Sequence, residues 1–119
     1  MYNTLLLLVF SLSLTGFAHA AGDTQAELNQ SAHLRYQSAD AALNTAYARL
    51  MSVLSPERQQ QLKLAQRAWL KYRDADAEFK AGAYRGGSIQ PLIYSQALIE
   101  LTEYRTRQLS ELYREQSAH

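Results

Sequence analysis

From Leu28 to Val53 the apolar side chains recur in alternating steps of four and three: Leu28, Ala32, Tyr36, Ala39, Leu43, Ala46, Leu50 and Val53. A half-buried strand would alternate by two, so this spacing dictates a helix of about seven turns with one apolar face. A face that long is stable only when another element covers it. Thr24, followed three residues later by Glu27, is a capping box that sets the helix start. Asp40 and Asn44 are the polar residues nearest the apolar seam. Leu54-Ser55-Pro56-Glu57 ends the helix, because Pro56 disfavours helical geometry at Ser55 yet suits the first turn of a new helix capped by Ser55.

The second helix is expected from Pro56 to about Lys80, with Leu62, Ala65, Trp69, Tyr72 and Phe79 available to its buried side. Gly82, Gly86 and Gly87 then break the pattern, making Ala81–Ser88 the longest irregular stretch after the leader region and exposing Tyr84 and Arg85. Ser88 and Pro91 start a third helix, whose stripe includes Ile93, Ala97, Leu101, Tyr104, Gln108 and Leu112. The polar end, Glu115 to His119, should fray. Two prolines and five glycines are too few turn residues for an all-β chain. The expected fold is all-α, three long amphipathic antiparallel helices in a small bundle.

The densest mixture of aromatic, basic and amide groups is Gln66–Asp74, which holds the only Trp. Gln66, Trp69 and Arg73 share one helical face, so apolar surface and hydrogen-bond donors must interlock there. Reflecting the helices about their turns puts Asp40, Trp69 and Arg105 at one height, with Asn44, Gln66 and Gln108 one turn away. Arg105 should then pair with Asp40 or stack on Trp69, and Thr102 with Arg105 should anchor the third helix to this layer. The same reflection sets Ala77 level with Ala97.

Met1–Ala20 reads as a signal peptide. Leu5 to Leu14 is an uncharged apolar run, and Ala18-His19-Ala20 suits signal peptidase, with cleavage after Ala20. The run is shorter than a membrane span requires, and no Cys is available for lipid attachment. Residues 21–119 then form one domain, periplasmic or secreted, with no membrane insertion of the mature chain. Twelve Lys and Arg against eleven Asp and Glu leave no field that would gather nucleic acid or an anionic membrane. The chain has no Cys at all, so a helical core must carry stability without covalent staples.

No catalytic or cofactor chemistry is spaced for use. His33 and His119 lack any metal-ligand partner spacing. Asp74, Asp76 and Glu78 splay around a helix instead of converging. There is no G-x-S-x-G, no Cys–His arrangement, and Gly86-Gly87-Ser88 lacks the Lys of a phosphate loop, reading instead as a turn with a helix cap. No metal and no cofactor are expected, and no enzyme activity.

The runs LNTAYARL, QRAWLKYRDADA and GGSIQPLIYSQALIELTEYRTRQL resemble the lysozyme-inhibitor LprI N-terminal-domain family of small exported bacterial proteins. The resemblance covers about Asp23 to Leu109 and rests on Gln66-Arg67-x-Trp69, Tyr72-Arg73-Asp74, Gly86-Gly87-Ser88 and Thr102 with Arg105. It implies a compact helical domain and, for part of the family, binding and inhibition of lysozyme. It also implies cysteines where this chain has Ser31, Ala77 and Ala97, making this a cysteine-less variant. A family bridge would tie the second helix to the third at Ala77 and Ala97.

The expected function is an exported non-catalytic binding protein, by resemblance an inhibitor of lysozyme-type muramidases with a lysozyme as protein partner. The alternative is a structural or assembly module of a cell-envelope complex, using Tyr94, Tyr104 and Tyr113 if exposed. The candidate binding residues are Tyr84, Arg85, Gly86, Gly87 and Ser88 in the second turn. Asp40, Asn44, Gln66, Trp69, Arg73, Thr102 and Arg105 are assigned to the structural core. Oligomeric state is left open by the sequence.

Overall fold

The computed structural model describes residues 24–118; the expected signal peptide lies outside them. Three helices follow one another: α1 (Gln25–Ser52), α2 (Pro56–Gly82) and α3 (Gln90–Ser117). Their starts obey the local chemistry. Thr24 caps α1, its side chain accepting from the Glu27 N–H at 3.1 Å. Ser55 caps α2 in the same way, accepting from the Arg58 N–H at 3.3 Å, with Pro56 in the first turn. The expected cap by Ser88 does not form. Ile89 occupies that position without a side-chain bond, and α3 runs on to Ser117 without the expected fraying.

Cross-helix bonds fix the directions. Arg73 of α2 reaches Thr102 of α3 while Gln66 reaches Arg105, so one helix descends as the other rises. Asn29 of α1 meets Ser88 and Asp40 meets Arg73, which makes α1 and α3 parallel and α2 antiparallel to both. In space α3 is the middle helix. It packs along both neighbours, whereas the α1 and α2 backbones hardly approach one another. The reason is side-chain size. Ala32, Ala46, Ser95 and Thr102 are buried on α1 and α3 and let those backbones close together, while Tyr36, Trp69 and Arg73 prop α1 and α2 apart.

The apolar core has two parts. Leu43, Ala46, Leu50 and Leu109 form one cluster, bordered by Tyr47, Leu54, Leu62, Trp69 and Tyr113. Ala77, Ala97 and Leu98 form the other, bordered by Tyr36 and Tyr94, so the two alanines expected to lie level are buried together. Between them lies a polar tier built on Arg73, which is only 6% exposed. Its guanidinium donates to Asp40 at 3.4 Å, Asp74 at 3.0 Å and the Thr102 hydroxyl at 3.4 Å. It also lies 5.4 Å from the ring centroids of both Tyr36 and Trp69. A buried cation needs such saturation, since an unpaired one is strongly destabilising.

Several expectations are corrected here. Arg73, not Arg105, holds Asp40 and stacks on Trp69. Arg105 lies one turn away, donating to Gln66 at 3.0 Å and Gln108 at 3.4 Å. Asn44 is exposed and takes no part in the tier. On α2 the buried side is Gln66, Arg73, Ala77 and Ala81, and Ala65, Tyr72 and Phe79 point to solvent. On α3 the buried set is Ser95, Ala97, Leu98, Thr102 and Leu109, rotated from the expected stripe, leaving Tyr104 exposed. A helix gripped on two sides buries a broad arc, and small polar residues at its centre disguise that arc in the sequence.

Candidate functional site at the α2–α3 turn

The α2–α3 turn is stiffer than its glycines suggest. Backbone bonds of the i to i+3 kind run through it: Tyr84 N–H to Ala81 O at 2.9 Å, Arg85 N–H to Gly82 O at 3.3 Å, Gly87 N–H to Tyr84 O at 2.9 Å and Gln90 N–H to Gly87 O at 3.2 Å. Gly86 sits at φ 79°, a left-handed conformation that side chains resist. A Cβ on Gly87 would meet the Tyr84 carbonyl oxygen at 3.2 Å, so the tight turn itself selects glycine there. Two side chains pin the loop from outside. Gln90 accepts from the Gly86 N–H at 3.3 Å, and Asn29 of α1 donates to the Ser88 carbonyl at 3.0 Å.

On this frame Tyr84 is 47% exposed, and Arg85 is exposed with no ion-pair partner among the described residues. Beside them opens a groove of about 820 Å³ where three elements meet. Asn29 and His33 line it from α1, Glu78 from α2, Arg85 from the turn, and Gln90 and Tyr94 from α3. Burial, reinforced by the charges of Asp74 and Glu78, pushes the Tyr94 phenol above its ordinary value, so it stays a neutral donor. The His33 ring hydrogen-bonds the Gln37 amide at 3.2 Å. Such a surface offers hydrogen bonds, one aromatic and one free cation. Such groups are of the kind that anchor a bound partner.

The candidate loop residues therefore stand together on one end of the bundle. Asn29, His33 and Glu78 stand beside them in the groove, although nothing in their spacing connects three separate segments. Asn29 and His33 are four apart on one face of α1, but which end of which helix they meet depends on packing register. Among the described residues no group of His, Asp or Glu could hold a metal ion.

A family model described as "Lysozyme inhibitor LprI" matches residues 18–109. This chain belongs to the LprI family. The LprI match takes in the whole turn and every residue named in the groove. A protein of Rhizobium meliloti (strain 1021), described as uncharacterized, is 36% identical over 102 residues, which span 75% of this chain and 73% of that protein. No solved structure matches the chain. The LprI description names inhibition, a role performed by binding. No helix among the described residues is long and apolar enough to cross a membrane.

Proposed function

We propose that this protein is an exported, non-catalytic inhibitor of a lysozyme-type muramidase, and that it presents Tyr84 and Arg85 to the enzyme. The observation that carries this reading is the pinned turn, where an unpaired guanidinium and an exposed phenol stand on a backbone held at both feet. Enzymes of that class work with two carboxyl groups flanking the scissile bond in an open saccharide cleft. An arginine on a stiff loop can pair with such a carboxylate, and stiffness lowers the ordering cost of binding. Export follows from the reading of residues 1–20.

The test is inhibition of several lysozymes at micromolar protein, at low and high salt. Changing Tyr84 and Arg85 together to Ala should raise the half-inhibitory concentration by at least tenfold, and added salt should weaken the unaltered protein. Lysozymes left fully active would defeat the inhibitor reading. Inhibition untouched by the double substitution would move the contact away from the turn.

The second reading, an assembly module, draws no support from α3. Tyr94 and Tyr113 pack against the core clusters, and Tyr104 alone is exposed, with Arg107 5.8 Å from its ring centroid. What favours association is the outer face of α2.

A further inference from the structure

Opposite its buried side, α2 carries a second apolar stripe. Leu64, Ala68, Tyr72, Ala75 and Phe79 fall within about 80° of one another on a helix of 3.6 residues per turn. All five are exposed, Leu64 by 67%, Tyr72 by 58% and Phe79 by 82%. The stripe runs for about 22 Å and bears no charge along its centre. Exposed large apolar groups scattered singly are ordinary, but aligned over four turns they mark a surface meant to be covered.

One flank of the stripe says what covers it. Arg67, Lys71, Asp74 and Glu78 all lie along the same edge, basic in the first half and acidic in the second. Neither Arg67, Lys71 nor Glu78 has an ion-pair partner among the described residues. On the other flank Asp76 and Lys80 pair with each other at 3.0 Å and close that edge off. When a helix packs antiparallel on its own copy about a two-fold axis, equal flanks face each other and the order of charges is reversed. The basic half of one copy then meets the acidic half of the other.

The registers agree. A two-fold axis passing beside Tyr72 sets Arg67 opposite Glu78 and Lys71 opposite Asp74. Leu64 with Phe79 and Ala68 with Ala75 are symmetric about a point one residue nearer the amino end, so an axis at Tyr72 itself brings both the charged and the apolar pairs to within about 1.5 Å of direct opposition, large groups at the ends and small ones where the backbones must approach. We propose that the outer face of α2 is the docking site for a second copy of this chain, joined antiparallel about Tyr72. The net charge of +1 offers little repulsion between copies. The inference is independent of the lysozyme reading, since the turn at Tyr84–Ser88 is a different surface.

Sedimentation of the purified protein between about 1 and 200 μM tests this, a range suited to an interface at the small end of the usual sizes. The mass should rise toward that of a dimer. Phe79→Glu should leave a monomer throughout with an unchanged far-ultraviolet circular dichroism spectrum. Arg67→Glu should shift the midpoint at least about tenfold to higher concentration, and Arg67→Glu with Glu78→Lys should restore it. The absence of native cysteines allows a direct check of direction. Ala68→Cys mixed with Ala75→Cys should give a mixed disulfide faster than either variant links to itself, and Tyr84→Ala with Arg85→Ala should associate normally. A monomer at every concentration, association indifferent to Phe79→Glu, or self-linking of Ala68→Cys as fast as the mixed pair would each overturn the proposal. So would a monomer whose stripe captures a different protein.

Discussion

Arg73 shows how one side chain can be both the riskiest and the most connected group in a small core. Its fork and flat face are used at once, on two carboxylates, a buried hydroxyl and two aromatic rings. Arg73→Ala should destabilise the protein by about 2–4 kcal/mol, measured as a lower urea midpoint at constant slope. The low end reflects Asp40, whose side chain is 38% exposed and rehydrates when its partner goes. The high end reflects Thr102, fully buried and left with an unpaired hydroxyl. Arg73→Lys should recover less than half of the loss, because a compact ammonium cannot reproduce the fork and the stacking. The shared face of Gln66, Trp69 and Arg73 was legible from spacing. Which arginine met Asp40 was not, because reflection gives height along an axis and says nothing about rotation around it.

Among the elements, the starts of α1 and α2 were the most legible part of the chain, since Thr24 and Ser55 are set by short-range bonds that need no tertiary context, whereas the expected Ser88 cap of α3 was not realised. Helix faces were legible only where one stripe exists. α2 has two, and a periodicity rule weighs Tyr72 and Phe79 as core because it has no means of knowing that a mixed polar face is the one α3 covers. The α2–α3 turn offers a clean comparison of glycines. Gly86→Ala should cost about 1 kcal/mol through its positive φ. Gly82→Ala should instead stabilise by about 0.5 kcal/mol, being helical with open space around it. Thermal denaturation of the two variants beside the unaltered protein would separate them, and equal effects would contradict the turn geometry.

At the scale of the molecule, the groove was illegible in the sequence because it is assembled from the start of α1, the end of α2 and the start of α3, which meet only through packing register. The pH response also belongs to this scale. Burial raises the phenols of Tyr36 and Tyr94, with the Arg73 charge opposing it at both. Tyrosines in the unfolded chain ionise from about pH 10, so above that pH the unfolded state binds fewer protons than the folded one. Stability should therefore be insensitive to these two groups near neutrality and should fall as pH rises through about 10. Tyr36→Phe with Tyr94→Phe should flatten that alkaline fall, checked by melting temperature at pH 9 and 11.

The helix that both others lean on is the last to be made. A polypeptide emerging amino end first, from a ribosome or through a translocation channel, releases α1 and α2 with only side-chain contacts such as Arg73 with Asp40 and Tyr36 between them, since their own backbones hardly meet. Truncations stopping before Gln90 should accordingly lack a closed core, and the protein can assemble only once its carboxyl-terminal third is free.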